Sequence, residues 1–239
     1  MNRDHKVSQL CAMPDKKLFG LIQETAETNR VDINNADYFI AQLISAGMGY
    51  DEQHFEKIFS SCVLRFGLKD TYIQVLYPML TRIGLLWRSD AIAPASEHFI
   101  SNQVRQKIFA AIDALPPPQS PSDKWLLFLR EGEFHELGLL FASYLIKKAG
   151  QNVTYLGPDM PQLSLLEACK NIHPDYLLSF VVHHDDTDSL NEYCDQLKRS
   201  FTGKKILIAA DARTMEGVKL GKKLGWIHSV NELQNELAK

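Results

Sequence analysis

Six consecutive residues, Pro116-Pro117-Pro118-Gln119-Ser120-Pro121, divide this chain into two parts with different hydrophobic periods. Proline lacks a backbone N–H and fixes φ, so this density cannot continue a helix and favours an extended, semi-rigid connection. Upstream, apolar residues recur at steps of three and four; downstream, short apolar runs alternate with amphipathic stretches. A chain built this way is expected to hold an all-α part over residues 1–115 and an α/β part over residues 122–239.

The upstream part reads as a bundle of helices with short connections. Asp15 is a candidate cap for a helix carrying Leu18, Phe19 and Ile22, and Asn35 for one carrying Tyr38, Phe39, Ala41, Leu43 and Ile44. Asp51 can cap a third helix, with Phe55, Ile58, Phe59 and Cys62 on one face and Gly67 at its end. A fourth is expected over about 71–87, where Val75, Leu76, Met79, Leu80, Ile83 and Leu86 mark the apolar stripe. A fifth begins near Pro94 and ends near Leu115, and the first dozen residues read as a loose arm.

Downstream, Trp125–Leu129, Val153–Leu156, Tyr176–Val182 and Ile206–Ala210 read as buried strands. Helical stretches near 136–149, 162–171 and 187–199 lie between them. That alternation predicts a doubly wound parallel sheet, in which ligands bind beyond the carboxyl ends of the strands.

Composition narrows the class. Hydrophobic residues make up 45% and charged residues 23%, as in a globular protein, and the net charge of −3 argues against binding nucleic acid through overall charge. Cys11, Cys62, Cys169 and Cys194 form no C-x-x-C pair, and Cys62 sits in an apolar stripe; a reducing, cytoplasmic setting without disulfides is expected. The polar start and the lack of a long apolar run give no sign of a signal peptide or membrane span.

Two constellations carry chemistry. Glu133-x-His135-x-x-Gly138 follows the first strand and opens a helix. There a histidine can present one ring nitrogen to a metal while the carboxylate holds the other, which fixes the tautomer. Gly138 would allow close backbone approach. Spacing alone favours a solvated loop histidine. The second constellation is Trp87, nine residues, then Glu97-His98, at the junction of the fourth and fifth helices. An indole beside a Glu-His pair suits a flat organic ligand with polar edges, though a core tryptophan and a solvated pair read as well.

Together these motifs resemble the cobalamin-binding region of MerR-type light-sensing transcription regulators. The likeness runs over about residues 15–210 and takes in Tyr155-Leu156-Gly157 and Ser179-x-Val181. It implies a four-helix cap and a Rossmann-like domain with cobalamin, adenosylcobalamin in preference, held between them. His135 would be the lower cobalt ligand, displacing the cofactor's own base, with Glu133 in support. Gly138, Ser179 and Val181 would line the slot for the displaced nucleotide tail. Trp87, Glu97 and His98 would cover the upper face and the adenosyl group.

Three departures accompany the likeness. A Gly-Gly pair is usual where this chain has Ala209-Ala210-Asp211, and the added methyls and carboxylate could crowd the tail. Light-responsive members often place a histidine directly after the tryptophan to capture cobalt; here Arg88 follows Trp87. Such regulators also begin with a winged helix-turn-helix, and none is visible, so this chain alone is expected not to bind DNA directly. The resemblance implies a non-enzymatic sensor, expected to form homo-oligomers. A corrinoid methyl carrier and a cofactor-free oligomerisation module of the same fold are the alternatives. The remaining candidates are weaker. His183-His184-Asp185-Asp186 reads as a polar strand-end loop, Gly217 and Gly221 lack a dinucleotide-binding context, and Lys219, Lys222 and Lys223 read as a solvated helix face.

Overall fold

A computed structural model describes residues 36–89, 91–118, 121–182, 186–221 and 224–238. The helix expected after Asp15, the Asn35 cap, Cys11, His183, His184, Asp185, Lys222 and Lys223 lie outside the described residues. The chain forms two compact units that divide between Gln106 and Lys107.

In the first unit, α1 (Ala36–Met48) is apolar along most of its length and buries Phe39, Ile40, Leu43 and Ile44. Gly47 near its end permits close packing, since a Cβ there would run into the Ile100 side chain. Helix α2 (Glu52–Thr71) starts at Asp51, whose carboxylate accepts from His54 N at 2.9 Å. This is the cap the sequence suggests. At Gly67 the backbone takes φ 73°, ψ 162°, so the helix breaks where the glycine predicts. Its buried face carries Phe55, Ile58, Phe59 and Cys62, and burial pushes the Cys62 thiol up to about 12.

The expected single helix over 71–87 is interrupted. Tyr72–Leu76 form a π-helical turn before α3 (Tyr77–Arg88). Pro78 explains the interruption, because it cannot donate to the carbonyl four residues back and its ring crowds that carbonyl. Widening the turn removes the clash. The last helix of the bundle, α4 (Pro94–Asp113), crosses the division between units, and in the first unit it buries Ile100 and Val104.

The second unit is a five-stranded parallel sheet in the order β2-β1-β3-β4-β5, the expected fold class with one more strand. Strand β1 (Lys124–Arg130) lies inside the sheet with Trp125 to Leu129 all buried, as a strand covered on both faces requires. Strand β2 (Asn152–Met160) is an edge. Its register against β1 slips between the Leu127–Tyr155 and Phe128–Gly157 pairs, and Gly157 at φ +84° absorbs that bulge. Strands β3 (Tyr176–Phe180) and β4 (Lys205–Ala209) follow. The connecting helices are α5 (Leu137–Lys148), α6 (Gln162–Ile172) and α7 (Thr187–Ser200), close to the expected bounds.

The sequence reading missed β5 (Leu224–Ile227) and α8 (Val230–Leu237). Gly225 weakens the strand signal, yet packing demands it: a Cβ there would meet Leu207 Cδ2 at 2.6 Å. Lys219 needs a correction. It lies in a non-helical connection and its N–H donates to Asn191 Oδ1 at 2.7 Å, so it is not on a helix face. The glycines on either side, Gly217 and Gly221, have φ of 78° and 68°, which suits turns rather than a helix. None of the helices among the described residues is long and apolar enough to cross a membrane.

Candidate cofactor site

The loop after β1 is built around one buried carboxylate. Glu133 is 3% exposed, and its Oε1 meets His135 Nδ1 at 2.6 Å and accepts from His135 N at 3.0 Å. Its Oε2 accepts from Val182 N, just past β3, at 3.3 Å. The same residue ties into the β1 and β2 ends through its backbone: Glu133 N donates to Arg130 O, and Asp159 N donates to Glu133 O at 3.1 Å. Asp159 sits at φ 53°, uncommon for a residue with a side chain, and its Oδ1 accepts from Gly132 N at 2.8 Å. Side chain and backbone together therefore tie Glu133 to its own loop, to the end of β2 and to the segment just past β3.

His135, by contrast, is 64% exposed at its side chain. Its ring meets the buried Glu133 carboxyl group at Nδ1, so a metal bound to this ring would be met by Nε2. That is the arrangement in which a carboxylate fixes the tautomer and raises the basicity of a histidine ligand. Beyond it α5 starts at Leu137, and Tyr155 donates to Glu136 Oε2 at 2.6 Å, so the helix entrance is held to β2 as well.

The other residues expected in this unit lie around the carboxyl end of β3 and the start of α5. Gly138 lies in the first turn of α5 against Phe180. Ser179 is buried, and its Oγ is 3.0 Å from the Tyr193 hydroxyl on α7. Val181 is buried in the cluster with Leu190, Cys194 and Phe128. Tyr193 is itself enclosed: burial pushes its hydroxyl pKa up, partly offset by the bond to Ser179, and the Arg130 guanidinium lies 5.9 Å from its ring centroid. Nothing in the sequence pattern singled out Tyr193, Asp159 or Phe180, because their importance comes from partners distant in sequence.

In the helical unit, Trp87 lies near the end of α3 and is 51% exposed. Glu97 and His98 occupy the first turns of α4. Glu97 Oε1 accepts from Ser101 Oγ at 2.6 Å, and its Oε2 is 3.2 Å from His98 Nδ1. His98 is largely exposed. A cavity of about 460 Å³ lies elsewhere, lined by Phe109, Pro117, Lys147 and Asn152 near the amino end of β2, at the sheet end opposite His135.

With this geometry in place, the chain can be set beside known proteins. Residues 39–111 match the family model of the B12 binding domain. The chain is 26% identical over 143 residues to the HTH-type transcriptional repressor CarH of Myxococcus xanthus, covering 60% of this chain and 47% of that protein. It is 40% identical over 108 residues to the HTH-type transcriptional repressor CarA of the same organism, covering 44% of this chain and 35% of that protein. The chain thus spans less than half the length of either repressor. In fold it is similar to the Methanosarcina barkeri monomethylamine corrinoid protein, with a TM-score of 0.64 at 14% identity over 82% of this chain and 95% of that one. A B12 binding domain match in the helical half, a Rossmann-like sheet following it in the sequence and likeness to CarH and CarA identify the chain as similar to the cobalamin-binding region of the MerR-type light-sensing regulators.

Proposed function

We propose that this chain is the cobalamin-binding sensory module of a transcription regulator, with His135 as the protein ligand to cobalt. The observation that carries this reading is the His135 imidazole, exposed at a strand end and held at Nδ1 by buried Glu133. A single imidazole supplies one ligand, which suits a metal that arrives with its equatorial positions already filled by a macrocycle. The donor set therefore fits a corrinoid at its lower axial position.

The upper-face residues follow from the same reading. Trp87 offers an exposed apolar surface that excludes water, while Glu97 can accept hydrogen bonds from ribose hydroxyls and His98 can donate or accept. This favours adenosylcobalamin over a cofactor with a small upper ligand. Bound adenosylcobalamin would supply a carbon–cobalt bond that light can break. The Arg88 guanidinium cannot ligate cobalt as histidine does, so illumination should give no stable bis-histidine state through position 88.

On this reading the chain is not an enzyme, acts in the cytoplasm, forms homo-oligomers and leaves DNA contact to a segment other than the ones described. The exposed indole also separates this reading from a methyl carrier, which must keep its upper face open to a partner. The test is the visible absorption spectrum of the chain mixed with adenosylcobalamin in the dark and after illumination. A bound spectrum with a histidine lower ligand, changing on illumination, supports the reading. Absence of any complex in either state contradicts it.

A further inference from the structure

Gly138 has no side chain, yet the space beside its Cα is filled. A Cβ there would stand 2.8 Å from Phe180 Cε1 and 2.9 Å from Phe180 Cδ1, closer than real Cβ atoms come to a ring. Phe180 is the last residue of β3, and its register partner in β4 is Ala209. Paired residues of adjacent parallel strands project to the same face, so the ring and the methyl lie side by side. Ala209 is buried and opens the Ala209-Ala210-Asp211 run that departs from Gly-Gly. The ring, the methyl and the α5 backbone thus occupy one volume at the carboxyl ends of β3 and β4.

Successive strand residues alternate in direction, so Ser179 and Val181 project to the other face. That face is closed too, with Ser179 bonded to Tyr193 and Val181 in the core. The residues that would line a slot for a displaced nucleotide tail are therefore packed by the chain's own side chains on both faces of the sheet. Phe180 is half-buried, and a benzimidazole nucleotide could enter beside Gly138 only if its ring moved aside.

Resting on the cobalamin reading above, we infer that Phe180 is a specificity-determining residue, whose ring keeps the nucleotide tail out of the space beside Gly138. The α/β unit then takes the corrin ring over His135 without lodging the tail, and a corrinoid without a nucleotide binds as well as the complete cofactor. Specificity is a difference between two affinities, and here an occupying side chain sets it.

The test is a pair of equilibrium titrations of the full chain with aquocobinamide, which has no nucleotide, and aquocobalamin, followed by visible absorption. The wild-type chain should bind aquocobinamide at least as tightly as aquocobalamin. Phe180→Ala should shift the affinity ratio toward aquocobalamin by about tenfold, an effect of the size expected from removing one packed aromatic side chain. Phe180→Leu combined with Ala209→Gly keeps an apolar residue at the site, serves if the alanine variant does not fold, and should shift the ratio in the same direction. A wild-type preference for aquocobalamin of about tenfold or more, or an unchanged ratio in the folded variants, would overturn the inference while leaving corrinoid binding intact. Failure of both corrinoids to bind would overturn the cobalamin reading and the inference with it.

Discussion

Two of the molecule's glutamate–histidine pairs, Glu133–His135 and Glu97–His98, are built differently. In the α/β unit, Glu133 is 3% exposed and stands 2.6 Å from His135 Nδ1, with further bonds from two backbone amides. In the helical unit, Glu97 is partly exposed and stands 3.2 Å from His98 Nδ1, on a single helix, with Ser101 as its other partner. The first pair has its geometry fixed before any ligand arrives; the second can turn to suit one. A metal ligand benefits from preorganisation, because its bond has a strict direction. Side chains that hydrogen-bond a ribose work well with some freedom.

The largest effect should come from removing the fixed pair's ligand. His135→Ala should weaken cobalamin binding by about 100-fold or more, above the range seen for second-sphere losses. It should also change the bound spectrum. Titration by absorption checks this, and an unchanged affinity would show that His135 is not the ligand. Removing the support is next. Glu133→Ala leaves the Val182 and His135 amides without their carboxylate partner, and should lower both cofactor affinity, by about 10–100-fold, and stability, by about 1–3 kcal/mol. Affinity loss with an unaltered melting temperature would mean that the loop is not held as described.

Substitutions in the helical unit should do less. Trp87→Ala should leave stability nearly unchanged, since the indole is half exposed, but reduce the preference for adenosylcobalamin over methylcobalamin by about 1 kcal/mol. Equal affinities for the two cofactors in the wild type would remove the case for an adenosyl-selecting surface. Glu97→Gln should be the mildest, changing stability by less than about 0.5 kcal/mol, as exposed ion pairs do. If it cost as much as Glu133→Ala, the contrast between the two pairs would fail.

The difference between the pairs also marks what the sequence makes legible. The ExHxxG spacing announces that a carboxylate and an imidazole share a loop, and the strand before it places that loop at the carboxyl end of the sheet. Helix caps at Asp51 and the break at Gly67 are local, so they are readable. What escaped was set by packing between distant residues. Strand β5 is four residues long with a glycine required by Leu207 across β4, and no run of sequence that short declares itself. Helix α8 did carry a signal: Ser229 accepts from Glu232 N, and Glu232 in turn accepts from His228 N, close to a capping box. The contact of Phe180 with Gly138 joins a strand end to a helix start, and spacing within either segment says nothing of it.

The central claim is that His135 supplies a nitrogen to cobalt. The most direct measurement is electron paramagnetic resonance of the chain loaded with a cobalt(II) corrinoid, once with natural-abundance protein and once with protein carrying 15N-labelled histidine. The unpaired electron of cobalt(II) lies along the axial direction and couples to the nucleus of the axial nitrogen. The account predicts that the superhyperfine pattern changes from triplets to doublets on labelling, and that His135→Ala abolishes the labelling effect. Triplets that persist in the labelled protein would show that the cofactor's own base, and not His135, holds the cobalt.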